Sequence, residues 1–125
     1  MNALHFKIVI TAFIFVFILL SGRRLKKTAK PYNPIVLAIH KLISAGIMVA
    51  IVITVNQINK SVSLNTGEML LSISMIFVFL GAVVSGGFLS TGKQLPSLVE
   101  IIHKASSLAS IVFAGILLFL LKDRL

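Results

Sequence analysis

A chain of 125 residues that is 58% hydrophobic and 12% charged, with a mean hydropathy of +1.07, lacks the charge to coat a water-soluble core, which takes about a quarter of the residues. Its formal net charge of +9 sits in clusters between apolar runs, with no aromatic-basic surface beside them, and this excludes a nucleic-acid groove. Cysteine is absent, so disulfides, thiolate metal sites and cysteine nucleophiles are excluded as well.

The apolar runs are about 20 residues long, the length a helix needs to cross roughly 30 Å of hydrocarbon. They predict an all-α fold, an integral membrane up-and-down four-helix bundle forming a single domain over residues 1–125. The first span, near residues 4–22, begins at Leu4 and stops against Ser21-Gly22-Arg23-Arg24. Its positive cluster follows the apolar run and no small-residue cleavage site comes after, so it reads as a retained anchor with its N-terminus outside.

Arg23, Arg24, Lys26, Lys27 and Lys30 form a short basic connection, residues 23–30, which the positive-inside rule places in the cytoplasm, against anionic headgroups of the lipid bilayer. Tyr32 and Pro34 mark the start of the second span, near 34–56. The loop from Asn56 to Glu68 is polar and nearly neutral, hence outside. The third span, near 68–91, returns through Ser90-Thr91-Gly92-Lys93-Gln94-Leu95-Pro96 to the cytoplasm. The fourth, near 97–121, ends in the Lys122–Leu125 tail, which puts both termini outside a cell (plasma or inner) membrane.

The two halves resemble each other. Ile14-Phe15-Val16-Phe17 recurs as Ile76-Phe77-Val78-Phe79 at an offset of 62, and Ile39-His40-Lys41 recurs as Ile102-His103-Lys104 at 63. Ser44 and Ser107 extend the second match. Two hairpins entering the membrane in the same direction make a parallel repeat about an axis along the membrane normal.

Ionisable residues inside a membrane are costly, and each marks a candidate site. His40 lies six residues past Pro34, about 9 Å along its helix. His103 lies seven past Pro96 and so at nearly the same depth. Helices 2 and 4 of an up-down bundle occupy diagonal corners, and two imidazoles at one depth can point at each other across its axis. That suits two axial nitrogen ligands to a flat metal macrocycle. Gly46, Gly81, Gly86 and Gly87, with the small stripe Ser106, Ser107, Ser110 and Ala114, leave room for one, or equally permit close helix packing. Lys41, Lys104, Lys30, Lys93 and Arg23 lie on the side where anionic substituents of a macrocycle would emerge, or snorkel to lipid phosphates. Glu100, three residues before His103, caps the start of the fourth helix or, as a lesser option, orients His103 or relays a proton.

A four-span chain with His40 and His103 near the same end of helices 2 and 4 and glycines nearby resembles the small membrane-bound b-type cytochromes. The resemblance covers the chain in outline and rests on topology and those two histidines. It implies one haem b per chain with His40 and His103 as axial iron ligands, and electron exchange between quinols of the quinone pool and a redox partner protein. Several members hold a second haem at the opposite face. Here the outer helix ends offer only His5, without a partner histidine, which puts a complete trans-membrane electron path in doubt.

Two further functions fit the same residues. One is a haem-free accessory or assembly subunit in which His40 and His103 bond across helices. The other is a small proton- or metal-coupled transporter using His40, His103 and Glu100, although the first span carries no mid-membrane acid.

Overall fold

The computed structural model describes residues 3–28 and 30–124. Helices α1 (Ala3–Lys27), α2 (Pro34–Val62), α3 (Thr66–Leu89) and α4 (Ser97–Leu121) make an all-α, up-and-down four-helix bundle, with no strand among the described residues. All four helices are long and apolar enough to cross a membrane. Their outward faces carry Phe13, Leu42, Phe77 and Phe119, each at least two-thirds exposed. An apolar surface that continuous suits lipid as its solvent, where a helix satisfies its backbone internally.

α1 and α2 outrun the apolar segments that predict them, whereas α4 coincides with its segment. α1 continues through Arg23, Arg24, Lys26 and Lys27, so most of the basic connection is the last turns of a helix rather than a loop. Arg and Lys are good helix formers, and their charge is favoured at a helix C-terminus. Asn33 starts α2, its side chain accepting from the amides of Ile35 at 3.0 Å and Val36 at 3.2 Å, with Pro34 in the first turn. α2 runs past Asn56 to Val62 and stops at Ser63, whose left-handed backbone (φ 48°) returns its N–H to the Asn59 carbonyl.

α3 opens with a capping box. The Glu68 amide donates to the Asn65 side chain at 2.9 Å, and the Asn65 amide donates to the Glu68 carboxylate at 2.9 Å. Glu68 is buried, 5% exposed, and its second carboxylate oxygen accepts from the Arg124 guanidinium. This ties the residues after α4 to the start of α3. The α3–α4 turn closes with Ser90 and Thr91 hydroxyls donating back to the Gly87 and Phe88 carbonyls, and with Gly92 at φ +74°.

Neighbours in sequence are neighbours in space. α1 packs on α2, α2 on α3 and α3 on α4, while α1 makes no close backbone approach to α4 among the described residues. The core runs along the axis through Ile18, Ile47, Ile51, Ile58, Met75, Phe79, Leu117 and Leu121.

The structure revises the register of the repeat in the odd-numbered helices. Phe15 and Phe79 meet on the axis with ring centroids 5.4 Å apart, whereas Phe17 and Phe77 are both exposed. An offset of 64 then pairs Phe15 with Phe79, exposed Phe13 with exposed Phe77, and buried Ile18 with buried Ala82. The offset of 62 aligned apolar letters with unlike environments. In the even helices 63 holds, pairing buried Ile47 with Ser110 and buried Ile58 with Leu121.

Glu68→Ala removes half of the capping box and the partner of Arg124, and is expected to lower unfolding stability in detergent by about 1–3 kcal/mol. Glu68→Gln keeps a capping side chain and should cost less. Equal losses in the two variants would show that the box contributes nothing.

Candidate functional site

One end of the bundle is open. Where α1 and α3 finish and α2 and α4 begin, the hairpins part around a cavity of about 1110 Å³. That is at the top of the range for small-molecule and cofactor sites, about 300–1,000 Å³. His40 and His103 both line it, and so do Ser44, Ser107 and Gly87. Its apolar wall includes Phe79, Ala82, Val83 and Ile111, and its rim Arg23, Lys26, Lys30, Lys41, Glu100 and Lys104.

Each histidine is held by the other helix of its own hairpin. His40 Nδ1 lies 2.8 Å from the Ser21 hydroxyl, which donates its proton to the Ile18 carbonyl at 2.9 Å. With that proton committed, Ser21 accepts and Nδ1 is the donor. His103 Nδ1 lies 2.8 Å from the Ala82 carbonyl, which only accepts, so this nitrogen is again the donor; the Ser85 hydroxyl stands at 3.3 Å. A neutral imidazole with its proton on Nδ1 and its lone pair on Nε2 satisfies both sets of contacts, for His103 because a carbonyl only accepts and for His40 when Ser21 donates onward to Ile18. Neither Nε2 has a hydrogen-bond partner in the structure, yet no buried side-chain nitrogen or oxygen among the described residues lacks one. The two Nε2 atoms accordingly keep access to open space, and the space both rings line is this cavity.

The chain is shaped around those rings. A Cβ on Gly86 would stand 2.8 Å from His103 Cε1 and 3.1 Å from its Nδ1, and a Cβ on Gly22 would stand 3.3 Å from His40 Cε1. Glycine at these positions lets each imidazole lie against the backbone of the neighbouring helix. Ser21-Gly22 and Ser85-Gly86 are thus equivalent elements, 64 residues apart and one in each hairpin. The recurrence of the dipeptide was the available signal, but Ser21-Gly22 reads in isolation as the end of an apolar run.

Gly46, Gly81, Ser110 and His5 stand apart from the cavity, and the hydroxyls of Ser44 and Ser107 are turned to their own helices. Gly46 lines a separate apolar groove with Ile14, Phe17, Ile43, Ile47 and Ala50. A Cβ on Gly81 would stand 3.5 Å from the Ser106 hydroxyl in the α3–α4 contact, and Ser110 is buried and donates to the Ser106 carbonyl. Ser44 and Ser107 donate back to the carbonyls of His40 and His103, both at 2.7 Å. His5 lies in the first turns of α1, at the far end from the cavity.

Glu100 lies in the first turn of α4, where the helix dipole favours its charge, while the N-cap, Pro96, makes no side-chain capping bond. The carboxylate is half exposed, pairs with Lys104 one turn on, and lies 4.0 Å from Lys26 of α1. It is a rim group that spans the α1–α4 seam, and no bond joins it to His103. No cluster of three or more His, Cys, Asp or Glu side chains that could hold a metal ion occurs among the described residues.

Comparison with protein-family models, with curated proteins and with solved structures finds no match.

Gly86→Ala gains about 1 kcal/mol in helix propensity but must displace a ring held by its own hydrogen bond. We expect a net loss of about 1–2 kcal/mol in unfolding stability. Gly87→Ala, with nothing within 4 Å of its Cβ, should be neutral or stabilising. Indistinguishable unfolding curves for the two would show that His103 does not occupy the close position.

Proposed function

We propose that this chain is a membrane electron-transfer protein, alone or as a cytochrome subunit, that holds one haem b in this cavity between His40 and His103. The observation carrying the proposal is that both Nδ1–H groups are committed to neighbouring helices while both Nε2 lone pairs remain free beside one cavity. A histidine that ligates metal characteristically has its second nitrogen fixed in this way.

The energetics favour a ligand over a purely structural role. An interhelical side-chain hydrogen bond in a membrane protein is worth about 0.6 kcal/mol on average. Neither Nε2 takes part in that bond, and both keep access to the cavity. A serine or threonine would make the same interhelical bond without an idle nitrogen, so histidine at both positions is best explained by use of Nε2.

The rest of the cavity fits the group. His40 and His103 would hold the iron through Nε2. Haem supplies a one-electron carrier cycling between ferric and ferrous iron. Phe79, Ala82, Val83 and Ile111 form an apolar wall that keeps water from the ring face. Arg23, Lys30 and Lys41 at the rim have no carboxylate partner among the described residues and would receive the anionic propionates. Lys26 and Lys104 are engaged by Glu100. The basic end faces the cytoplasm under the positive-inside rule, with both termini on the other side. Electron exchange with the quinone pool and a redox partner protein completes the reading.

A haem-free accessory subunit is the second reading, and it rests on the same Nδ1 bonds taken as helix cement. Purified protein separates the two. The haem reading expects a Soret band, a reduced-minus-oxidised α band and one haem per chain, all lost in His40→Ala and in His103→Ala. Glu100→Gln should leave the spectrum in place. Colourless protein from haem-sufficient cells, or a spectrum that survives both histidine substitutions, overturns it.

A further inference from the structure

The two imidazoles occupy equivalent positions but are not held alike. In the second hairpin His103 Nδ1 donates straight to a backbone carbonyl, Ala82, at 2.8 Å. The Ser85 hydroxyl beside it is engaged with two carbonyls, Gly81 at 2.7 Å and Ala82 at 3.1 Å, and stands farther off at 3.3 Å. In the first hairpin the carbonyl equivalent to Ala82, at the offset of 64, is Ile18. His40 does not reach it. The Ser21 hydroxyl is interposed, accepting from Nδ1 at 2.8 Å and donating onward to Ile18 at 2.9 Å. The chain on one side runs imidazole, hydroxyl, carbonyl, and on the other imidazole, carbonyl.

We propose that Ser21 is the positioning residue for His40, fixing its tautomer and ring orientation, whereas Ser85 has no such role for His103, so that the two candidate ligands are inequivalent. A carbonyl acceptor belongs to the helix backbone and no side-chain substitution removes it. A hydroxyl acceptor can be deleted. Without Ser21 the structure shows no other acceptor for His40 Nδ1. Neutral imidazole is then free to move its proton to Nε2, which removes the lone pair that faces the cavity. The tautomer claim stands on the hydrogen bonds alone; its consequence for metal binding rests on the haem reading.

The test uses the full chain in detergent micelles, in two states. In haem-free protein, ¹⁵N spectra of labelled histidine are expected to show Nδ1–H for His40 and His103 in the wild type. Ser21→Ala should shift the His40 signal toward Nε2–H, with His103 unmoved, and Ser85→Ala should change neither. Ser21→Thr, which keeps the hydroxyl, should restore the wild-type signal. If the alanine variant fails to fold, Ser21→Cys carries the same expectation, since sulfur is a much weaker acceptor. In haem-loaded protein, Ser21→Ala should weaken haem retention about 10–100-fold, the usual effect of losing a ligand's outer partner, and shift the midpoint potential. Ser85→Ala should stay within about twofold of wild type, well short of that range.

Identical tautomers in wild type, Ser21→Ala and Ser21→Cys overturn the inference even if haem binds. Equal effects of Ser21→Ala and Ser85→Ala overturn it too. A wild type that binds no haem yet shows the predicted tautomer shift retains Ser21 as positioning residue and removes the haem reading.

Discussion

A neutral imidazole has one N–H to donate, and in each hairpin of this bundle it is donated sideways to the adjacent helix. The arrangement of the open end follows from that. For the ring to reach across, the facing backbone must come close, and glycine stands at the contact in both hairpins, Gly22 against His40 and Gly86 against His103. Helices within a hairpin are thereby drawn together at this end, while nothing comparable joins one hairpin to the other. The separation between hairpins is the cavity, with only the half-exposed Lys26–Glu100 contact across the α1–α4 seam. An exposed ion pair of that kind contributes little to stability, at most about 1 kcal/mol.

The opposite end is built on another principle. There Glu68 is buried, accepts the Asn65 amide and receives Arg124 from beyond α4, while Lys7 of α1 reaches Gln57 of α2 at 3.1 Å. Leu121, Ile58 and Leu117 close the axis over that end. The molecule is therefore polarised along its axis, packed at one end and open at the other, with unpaired cations gathered round the opening. Both cavity-lining histidines, His40 and His103, stand at the open end, and His5 is the sole histidine at the packed end.

The two halves show how far a repeat constrains a structure. Phe15 and Phe79 meet on the axis as symmetry-related residues should, and Ser21-Gly22 matches Ser85-Gly86. Symmetry then fails where chemistry is finest: the same serine is an intermediary in one hairpin and a bystander in the other. An apolar motif such as Ile-Phe-Val-Phe is a poor guide to register because any lipid-facing stretch can repeat it by composition. A glycine forced by contact with a ring has no such freedom.

The four helices were legible from the sequence because hydrocarbon admits only backbones that satisfy themselves, and apolar length translates directly into helix length. The matching depth of His40 and His103 was legible too, since a fixed rise per residue turns spacing from a helix start into height. The C-terminal ends of α1 and α2 were not, because Arg, Lys, Asn and Gln extend a helix into water as readily as they leave it. Nor could spacing reveal what surrounds each histidine. That His103 Nδ1 meets a backbone carbonyl, that Gly22 and not Gly46 faces a ring, and that Glu100 reaches Lys26 across the rim are all settled by contacts between helices distant in sequence. Those contacts depend on the rotation of each helix about its own axis. Hydropathy is nearly uniform around these helices and does not encode that angle; only packing against a neighbour sets it.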